Sequence, residues 1–287
     1  MIWALSAAFL FALVDLTWRS LLPGVSLWQA LLWRSLSSSV LLVSGAILFD
    51  GAVLNEGVSW AEEGSRLVLP VLTGVAGLIL FSWALRLASA QLVVPIINLT
   101  GLFVGWWEWG WLNRTNPPGF WGWMSIALAT TGLLIWIVPS GMAKGTIRDN
   151  AKGVVLSLAA VLIWSRGYVD YPKAIEVVSP LWLAASVELV MLSAGVVLAL
   201  TLQHSLTVEL RSKAMWVGLG VALAVGTMTM AYSIMPASEV GLVSTLTPVL
   251  VVLLSQRWLG ERIKIQDGLA ISCLVLANAL YFLSLIN

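Results

Sequence analysis

The sequence predicts an all-α integral membrane protein whose ten transmembrane helices form two inverted five-helix repeats. Three observations lead to this fold class. Of the 287 residues, 60% are hydrophobic and only 10% are charged, and the mean hydropathy is +0.95. Apolar runs of about 20 residues, the length that spans a bilayer, recur along the whole chain. Short motifs of the first half return in order in the second. A chain of this composition cannot hide its apolar surface inside a water-soluble domain.

Each apolar run bounded by charge, Pro, Gly or Asn is a candidate span. Helices are expected because a backbone surrounded by lipid must satisfy its own hydrogen bonds. The predicted spans are 2–21, 27–49, 67–85, 92–112, 120–138, 153–170, 181–202, 214–234, 240–258 and 268–286.

Each span of the first half begins or ends next to a polar residue or a proline. The first ends before Pro23, the second before Asp50, and the third begins after Arg66. The fourth ends before Asn113, and the fifth follows Pro118. Charge and proline therefore separate the first five helices.

The second half is bounded in the same way. Its first span follows Lys152, its second follows Pro180, and its third follows Lys213. Its fourth ends at the polar turn that contains Glu261, and its fifth follows Asp267. This half therefore also provides five helices.

A basic segment divides the chain into residues 1–140, a connecting loop 141–152, and residues 153–287. The two halves share ordered motifs: Ser26-Leu27-Trp28 with Pro180-Leu181-Trp182, Trp83 with Tyr232, and Ala88-Ser89 with Ala237-Ser238. An odd number of spans per repeat makes the second half enter the membrane in the opposite direction. The halves therefore form an inverted repeat, with a central site expected near the membrane midplane.

The distribution of Lys and Arg predicts the orientation. The side that carries both termini has 3 of these residues, and the other side has 10. The two sets are Arg66, Arg114 and Lys173 against Arg19, Arg86, Lys144, Arg148, Lys152, Arg211, Lys213, Arg257, Arg262 and Lys264. The positive-inside rule then places both termini outside the cytoplasm, in a multi-pass protein of the inner (plasma) membrane.

Several classes of function do not fit the composition. A net charge of +1 gives no basic surface for nucleic acid. One cysteine, Cys273, and one histidine, His204, provide neither a disulfide framework nor a metal site. We expect no cofactor, and the absence of a GK[ST] phosphate-binding motif argues against direct use of ATP. The expected partners are the lipid bilayer and a small-molecule substrate, and the sequence leaves the oligomeric state open.

The segment from Ala237 to Tyr281 carries a family pattern. It reads ASEVGLVSTLTPVLVVLLSQRWLGERIKIQDGLAISCLVLANALY, with Ala-Ser, a mid-helix Pro248, a Leu-Gly-Glu-Arg turn and a final apolar helix. Together with the duplication, this pattern resembles the EamA-like ten-helix branch of the drug/metabolite transporter superfamily. The first half departs from the pattern, because Leu112-Asn113 occupies the Gly-Glu position and Pro95 lies about one turn early.

The resemblance implies a secondary transporter, commonly an exporter, of small metabolites such as amino acids or amphipathic amines. Alternating access around a central site, with proton coupling as an option, is the mechanism that we expect. Two other functions stay open. A noncatalytic membrane subunit would not need charges buried in both halves. An intramembrane lipid-modifying enzyme would need clustered catalytic or metal-binding residues, so we expect no enzymatic activity.

Charged residues inside spans are costly, and this chain places them at related positions of the two halves. The candidate gate or coupling residues are Asp15, Arg34, Glu108, Arg166 and Glu188. Depth in the membrane suggests one gate between Asp15 and Arg34 and another between Arg166 and Glu188. The spacing of four also allows local pairs, Asp15 with Arg19 and Arg166 with Asp170. Whether these charges act as gates or only neutralise one another is left open.

Aromatic and polar residues at symmetric or deep positions are the candidate substrate-binding residues. They are Trp28, Trp83, Asn98, Trp164, Trp182, Tyr232 and Thr247. Aromatic faces can line an amphipathic pocket or hold an amine by cation–π contact. Packing in the helix core explains the same aromatic residues equally well. The polar side chains could instead link neighbouring helices.

Overall fold

The computed structural model of the protein describes residues 1–22, 25–55, 57–88, 90–112, 119–140, 147–202, 207–259 and 265–286. Within these ranges the chain forms helices and turns, with a single antiparallel bridge between Leu54 and Val178. No β-strand occurs in the described part, which confirms the predicted all-α class.

The described residues of the first half form seven α-helices and two π-helical stretches. They are α1 (Ile2–Leu21), α2 (Leu27–Gly45) continued by a π-helix (Ala46–Asp50), α3 (Trp60–Glu63), α4 (Ser65–Leu87), α5 (Ala90–Asn98), α6 (Thr100–Gly105) continued by a π-helix (Trp106–Trp111), and α7 (Phe120–Ser140).

The described residues of the second half also form seven α-helices. They are α8 (Ile147–Tyr168), α9 (Tyr171–Ile175), α10 (Pro180–Leu202), α11 (Val208–Tyr232), α12 (Ala237–Ser244), α13 (Thr247–Leu259) and α14 (Ile265–Ile286). The short α9 lies in a connection for which the sequence predicted no helix.

Two predicted spans, 92–112 and 240–258, correspond to apolar helical segments long enough to cross a membrane, Leu92–Trp111 and Ala237–Leu254, but each contains a short break that the sequence did not predict. The first is divided at Leu99, whose N–H bonds to the carbonyl of Ile96, three residues back. The second is divided at Thr245, whose N–H bonds to the carbonyl of Leu242. Pro248, just after this break, has no N–H to continue the helical ladder. Both interruptions lie in the middle of the molecule.

Within the described ranges, six helical segments are long and apolar enough to cross a membrane. They are Leu27–Asp50, Ser65–Leu87, Leu92–Trp111, Pro180–Leu198, Val208–Tyr232 and Ala237–Leu254. Three shorter apolar stretches are Ile2–Trp18, Phe120–Ile135 and Ile265–Tyr281. Helix α8 is in neither group. It contains four charged residues, among them Asp149 and Lys152 near its start. The protein is therefore a multi-pass membrane protein.

The contacts between equivalent helices show the inverted arrangement directly. Helices α2 and α10 pack against each other, and Gly45 lies beside Leu181 whereas Leu32 lies beside Gly195. The two helices are therefore antiparallel. Helices α7 and α14 pair in the same way, because Ser125 bonds to the carbonyl of Ala277 and Gly132 lies against Ala270. Equivalent helices that run in opposite directions are what an inverted repeat requires.

Two buried hydrophobic clusters lie at different depths along the same helices. The terminal-side cluster, on the side where α1 begins, includes Ala4, Val104, Val169, Tyr171, Tyr232 and Val240. The far-side cluster includes Trp18, Leu27, Leu92, Val161 and Val217. Helices α1, α8 and α11 contribute to both clusters, so the space between them lies near the middle of these helices.

Candidate substrate cavity

A cavity of about 170 Å³ lies between the two clusters. Both repeats line it, through α1, α2, α4, α5 and α6 of the first and α8 to α13 of the second. None of its described lining residues comes from the outer pair α7 and α14. A cavity that is shared between inverted repeats is where the sequence predicted a central site.

Five aromatic rings form a continuous array along one part of the cavity lining. Phe81 contacts Trp164 with ring centroids 5.7 Å apart, and Trp164 stacks on Tyr168 at 6.4 Å. Tyr168 meets Tyr171 at 5.1 Å, and Tyr171 meets Tyr232 at 5.2 Å. These ring geometries are typical of favourable aromatic pairs. The array provides an extended aromatic surface in the middle of the protein.

The sequence predicted Trp164 and Tyr232 as binding residues and missed the other three members of the array. Tyr168 follows Trp164 by one helical turn, so the spacing of four could have found it. Tyr171 is part of the short helix α9, and Phe81 belongs to a span in which almost every position is apolar. Neither position differs from ordinary core residues in the sequence.

Two glycines of α4 determine where Trp164 lies. The indole Nε1 of Trp164 donates to the carbonyl of Gly74 at 3.0 Å. A Cβ at Gly77 would lie only 2.4 Å from an atom of the indole ring. The ring therefore packs directly on the backbone of α4, in a groove that exists because position 77 has no side chain.

Gly77→Ala is expected to displace Trp164 and to disrupt the cavity wall. Overpacking of this kind costs about 1–3 kcal/mol of unfolding free energy, and we expect transport to fall with it. Unfolding in mixed micelles and flux into proteoliposomes measure the two effects. The matched control is Gly268→Ala in α14, since a Cβ there would meet no atom within 4 Å. Equal stability of the two variants would contradict this account of Trp164.

Asn98 and Thr247, the predicted polar binding residues, both line the cavity at the breaks in the two interrupted spans. The Asn98 amide donates to the carbonyl of Val94 at 2.8 Å, one turn earlier in α5. Thr247 is the first residue of α13 and is buried. The structure thus brings together Asn98, Trp164, Tyr232 and Thr247 of the seven predicted residues.

The other three predicted binding residues lie outside the cavity lining. Trp28 packs against the far-side cluster. Trp182 packs against the terminal-side cluster, and its buried indole N–H has no partner among the described residues. Trp83 lies on α4 with 47% of its surface exposed. Symmetry in the sequence identified these positions, but symmetry does not distinguish the cavity face of a helix from its other faces.

A buried ion pair joins the two repeats at one side of the cavity. The Nη2 atom of Arg34 lies 2.9 and 3.0 Å from the two carboxylate oxygens of Glu188, and both residues are 3% exposed. Ser38 donates to Glu188 at 2.6 Å, and Arg34 also donates to Ser35 at 3.2 Å. The pair thus belongs to a small buried polar network.

This pairing corrects the gates expected from depth, Asp15 with Arg34 and Arg166 with Glu188. Arg34 and Glu188 are equivalent positions of the two repeats, and they meet because α2 and α10 pack antiparallel. Arg166 is instead bound to Asp170, the local pair predicted from their spacing of four. Asp15 lines the cavity and bonds to no described group. The side chain of Arg19, its predicted local partner, is outside the described residues.

Glu108 lies in the π-helix after α6, outside the cavity lining, and is 4% exposed. Its carboxylate accepts the backbone N–H of Ser238 at 2.9 Å. Ser238 is in the first turn of α12, where free N–H groups favour a negative charge. Glu108 therefore joins the end of the interrupted span in the first repeat to the start of the equivalent span in the second repeat.

The model of the EamA-like transporter family matches residues 1–138 and 151–283, which is most of the chain and includes both halves. The chain belongs to the EamA-like transporter family. Membership of this family makes the protein a membrane transporter of small molecules, and it confirms the resemblance found in the sequence. The two matched segments also show that the EamA-like architecture of this protein consists of two repeats.

A solved crystal structure, described only as that of a protein, has the same fold as this EamA-like transporter. It superposes with a TM-score of 0.78 at 16% sequence identity, and the match covers 98% of this chain and 96% of the other. At this identity the likeness shows the fold alone. None of the curated proteins matches the sequence significantly.

Proposed function

We propose that this EamA-like transporter exports small metabolites, such as amino acids or amphipathic amines, by alternating access across the plasma membrane. The observation that carries the proposal is the central cavity, which both repeats line and which lies between two hydrophobic clusters. Separation of one cluster at a time would open the cavity to one side and keep the other side closed.

The proposal includes ten spans, with residues 1–140 and 153–287 as the repeats and 141–152 as the basic loop between them. Helix α8 is the sixth span, and its charged first turn lies at the cytoplasmic surface. Both termini are then outside the cytoplasm, as the distribution of Lys and Arg predicts.

Flux into and out of proteoliposomes tests the transport proposal. The purified protein is reconstituted and offered a panel of amino acids, amines and nucleosides, with and without a pH gradient. We expect saturable flux of at least one solute, which the Gly77→Ala variant reduces. Flux no faster than in protein-free liposomes for the whole panel would contradict the proposal.

A reporter that is active only outside the cytoplasm should work when it is fused after Asn287, and it should fail when it is placed near Lys144. The positive-inside rule gives this result because the basic connecting loop stays in the cytoplasm. The activity of the two fusions in intact cells is the measurement. The opposite pattern would show that the orientation is inverted.

Proton coupling is assigned by this proposal to Glu108, one of the three candidates Asp15, Glu108 and Glu188. Protonation of Glu188 would leave the Arg34 guanidinium buried without its counter-charge. Asp15 faces the cavity, where a substrate can neutralise it. Glu108 has no basic partner among the described side chains, and its carboxylate accepts the backbone N–H of Ser238. A proton on Glu108 would weaken its bond to the start of α12, which links protonation to helix movement.

Glu108→Gln is therefore expected to abolish acceleration of flux by a pH gradient, while exchange of substrate without a gradient continues. Glutamine still accepts the Ser238 N–H but cannot take up a proton. The loss of proton coupling is measured by comparing gradient-driven flux with substrate exchange in the same proteoliposomes. An unchanged response to the gradient in Glu108→Gln would rule out the assignment.

A further inference from the structure

Three of the described residues that line the cavity are charged: Asp15, Arg34 and Glu188. Arg34 and Glu188 neutralise each other, because the Arg34 guanidinium binds both Glu188 oxygens. Asp15 bonds to no group in the described part of the chain. The cavity therefore has one carboxylate that no described side chain balances.

A carboxylate in a low-dielectric site is strongly disfavoured unless a cation or hydrogen-bond donors compensate its charge. Along α1 the lining residues Phe11 and Val14 are apolar. The buried indole N–H of Trp18, also in the lining, makes no hydrogen bond to Asp15 or to any other described group. A ligand with a positive charge would supply the missing counter-charge. A ligand with a negative charge would meet repulsion from Asp15 and would find no unneutralised cation among the described lining residues.

The aromatic array adds a second preference for a cation. The faces of Trp and Tyr attract an ammonium group within about 6 Å of the ring centroid, and the attraction grows when both partners are removed from water. Trp164, Tyr168, Tyr171 and Tyr232 provide such rings in the same cavity as Asp15. The remaining lining is mostly apolar, which suits a hydrophobic body attached to the charged group.

The size of the cavity limits the ligand. Pockets for drug-sized molecules have volumes of about 300–1,000 Å³, whereas this cavity has about 170 Å³. The occupant is therefore the size of a metabolite with a single ring or a short branched chain.

We propose that the substrate is a monovalent organic cation with an aromatic or branched apolar body, with its ammonium group on Asp15 and its body against the aromatic array. This inference rests on the proposed transport function and selects amines over amino acids as its substrate class. An amino acid would bring a carboxylate into a cavity where Glu188 already neutralises the charge of the Arg34 guanidinium.

Equilibrium binding to the full-length protein in lipid nanodiscs tests the proposal. Isothermal titration calorimetry compares four probes that share a phenyl ring: phenethylamine, 2-phenylethanol, 3-phenylpropionate and phenylalanine. We expect phenethylamine to bind at least tenfold more tightly than the other three. Equal or tighter binding of the neutral, anionic or zwitterionic probe would overturn the assignment of substrate class.

Asp15→Asn should weaken phenethylamine binding at least tenfold, and Asp15→Glu should restore much of it. Tyr168→Leu should weaken binding severalfold. The matched control is Glu176→Gln, which removes one negative charge from a side chain that is 66% exposed and should leave binding unchanged. Retention of full affinity by Asp15→Asn would overturn the role of Asp15. If that variant does not fold, the four-probe comparison in the parent protein decides alone.

These experiments distinguish a failure of the cation site from a failure of the transport proposal. Phenethylamine binding without flux of any solute would contradict the transport proposal and support the cation site. Flux of another solute through a protein that does not bind phenethylamine would overturn the cation site and leave the transport proposal standing.

Discussion

Arg34→Met is expected to lower the unfolding free energy by about 3–5 kcal/mol, because it leaves the buried Glu188 carboxylate without its counter-charge. Both members of the pair are 3% exposed, so water cannot replace the missing guanidinium. The Ser38 hydroxyl remains as a donor to Glu188, but one neutral hydrogen bond does not compensate a buried charge. Unfolding in mixed micelles measures the loss.

The double variant Arg34→Met with Glu188→Met should recover most of that stability. Replacement of a complete buried pair by apolar side chains of similar volume is often neutral or stabilising. A loss of stability in the double variant equal to the sum of the losses in the two single variants would contradict the pairing. If the double variant is stable but transports poorly, the pair has a role in the transport cycle beyond holding α2 against α10.

An exposed ion pair provides the matched control. Arg66 binds Glu63 and Glu176, and its side chain is 43% exposed. Exposed pairs contribute about 0–1 kcal/mol, so Arg66→Gln should change stability far less than Arg34→Met. Similar losses in the two variants would show that burial does not explain the effect at Arg34.

Gly101→Ala is expected to be the most damaging glycine substitution in the helices around the cavity. A Cβ at position 101 would lie 1.9 Å from the carbonyl oxygen of Gly241. That neighbour is backbone, so α6 and α12 would have to move apart. We expect a loss near the upper end of the usual overpacking cost, about 3 kcal/mol, together with loss of transport.

Gly45→Ala is the control for this effect. A Cβ there would meet the side chain of Leu181 at 3.8 Å, an ordinary contact, and alanine has the higher helix propensity. The variant should be as stable as the parent or slightly more so. If Gly101→Ala matches Gly45→Ala in stability and flux, α6 and α12 do not depend on their close backbone contact.

The sequence predicted the helical class, the two repeats and their opposite directions, because hydrophobicity and span number determine these features. It missed the breaks at Leu99 and Thr245. A proline inside an apolar run was a visible signal for the second break. Near Leu99 the nearest proline, Pro95, is four residues earlier and lies inside α5.

The charges illustrate a different limit. The sequence identified Arg34 and Glu188 as buried, equivalent and opposite in charge, yet it paired each with another residue. Depth along the membrane gave those pairs, but depth contains no information on which helices are neighbours. The antiparallel packing of α2 and α10 brings equivalent positions together, and this contact decides the partner. Arg166 and Asp170 were predictable because both lie on one helix.

Cavity residues were predictable where a polar or aromatic side chain occurred at a symmetric position close to the middle of a span. Asn98, Trp164, Tyr232 and Thr247 meet this condition. Trp83 is also at a symmetric position, but it lies on an exposed face of α4. Which face of a helix is buried depends on the neighbouring helices. In a uniformly apolar span no hydrophobic periodicity marks that face in the sequence.

Access to the cavity from each side of the membrane is the most direct test of alternating access. Thr100→Cys places a thiol in the cavity lining, in a background where the single native cysteine is replaced by Cys273→Ser. Ala129→Cys, fully buried outside the cavity, is the control and should stay unlabelled. A small membrane-impermeant thiol reagent is applied from one side at a time. Labelling of Thr100→Cys from both sides is the predicted result, and labelling from only one side would contradict the account.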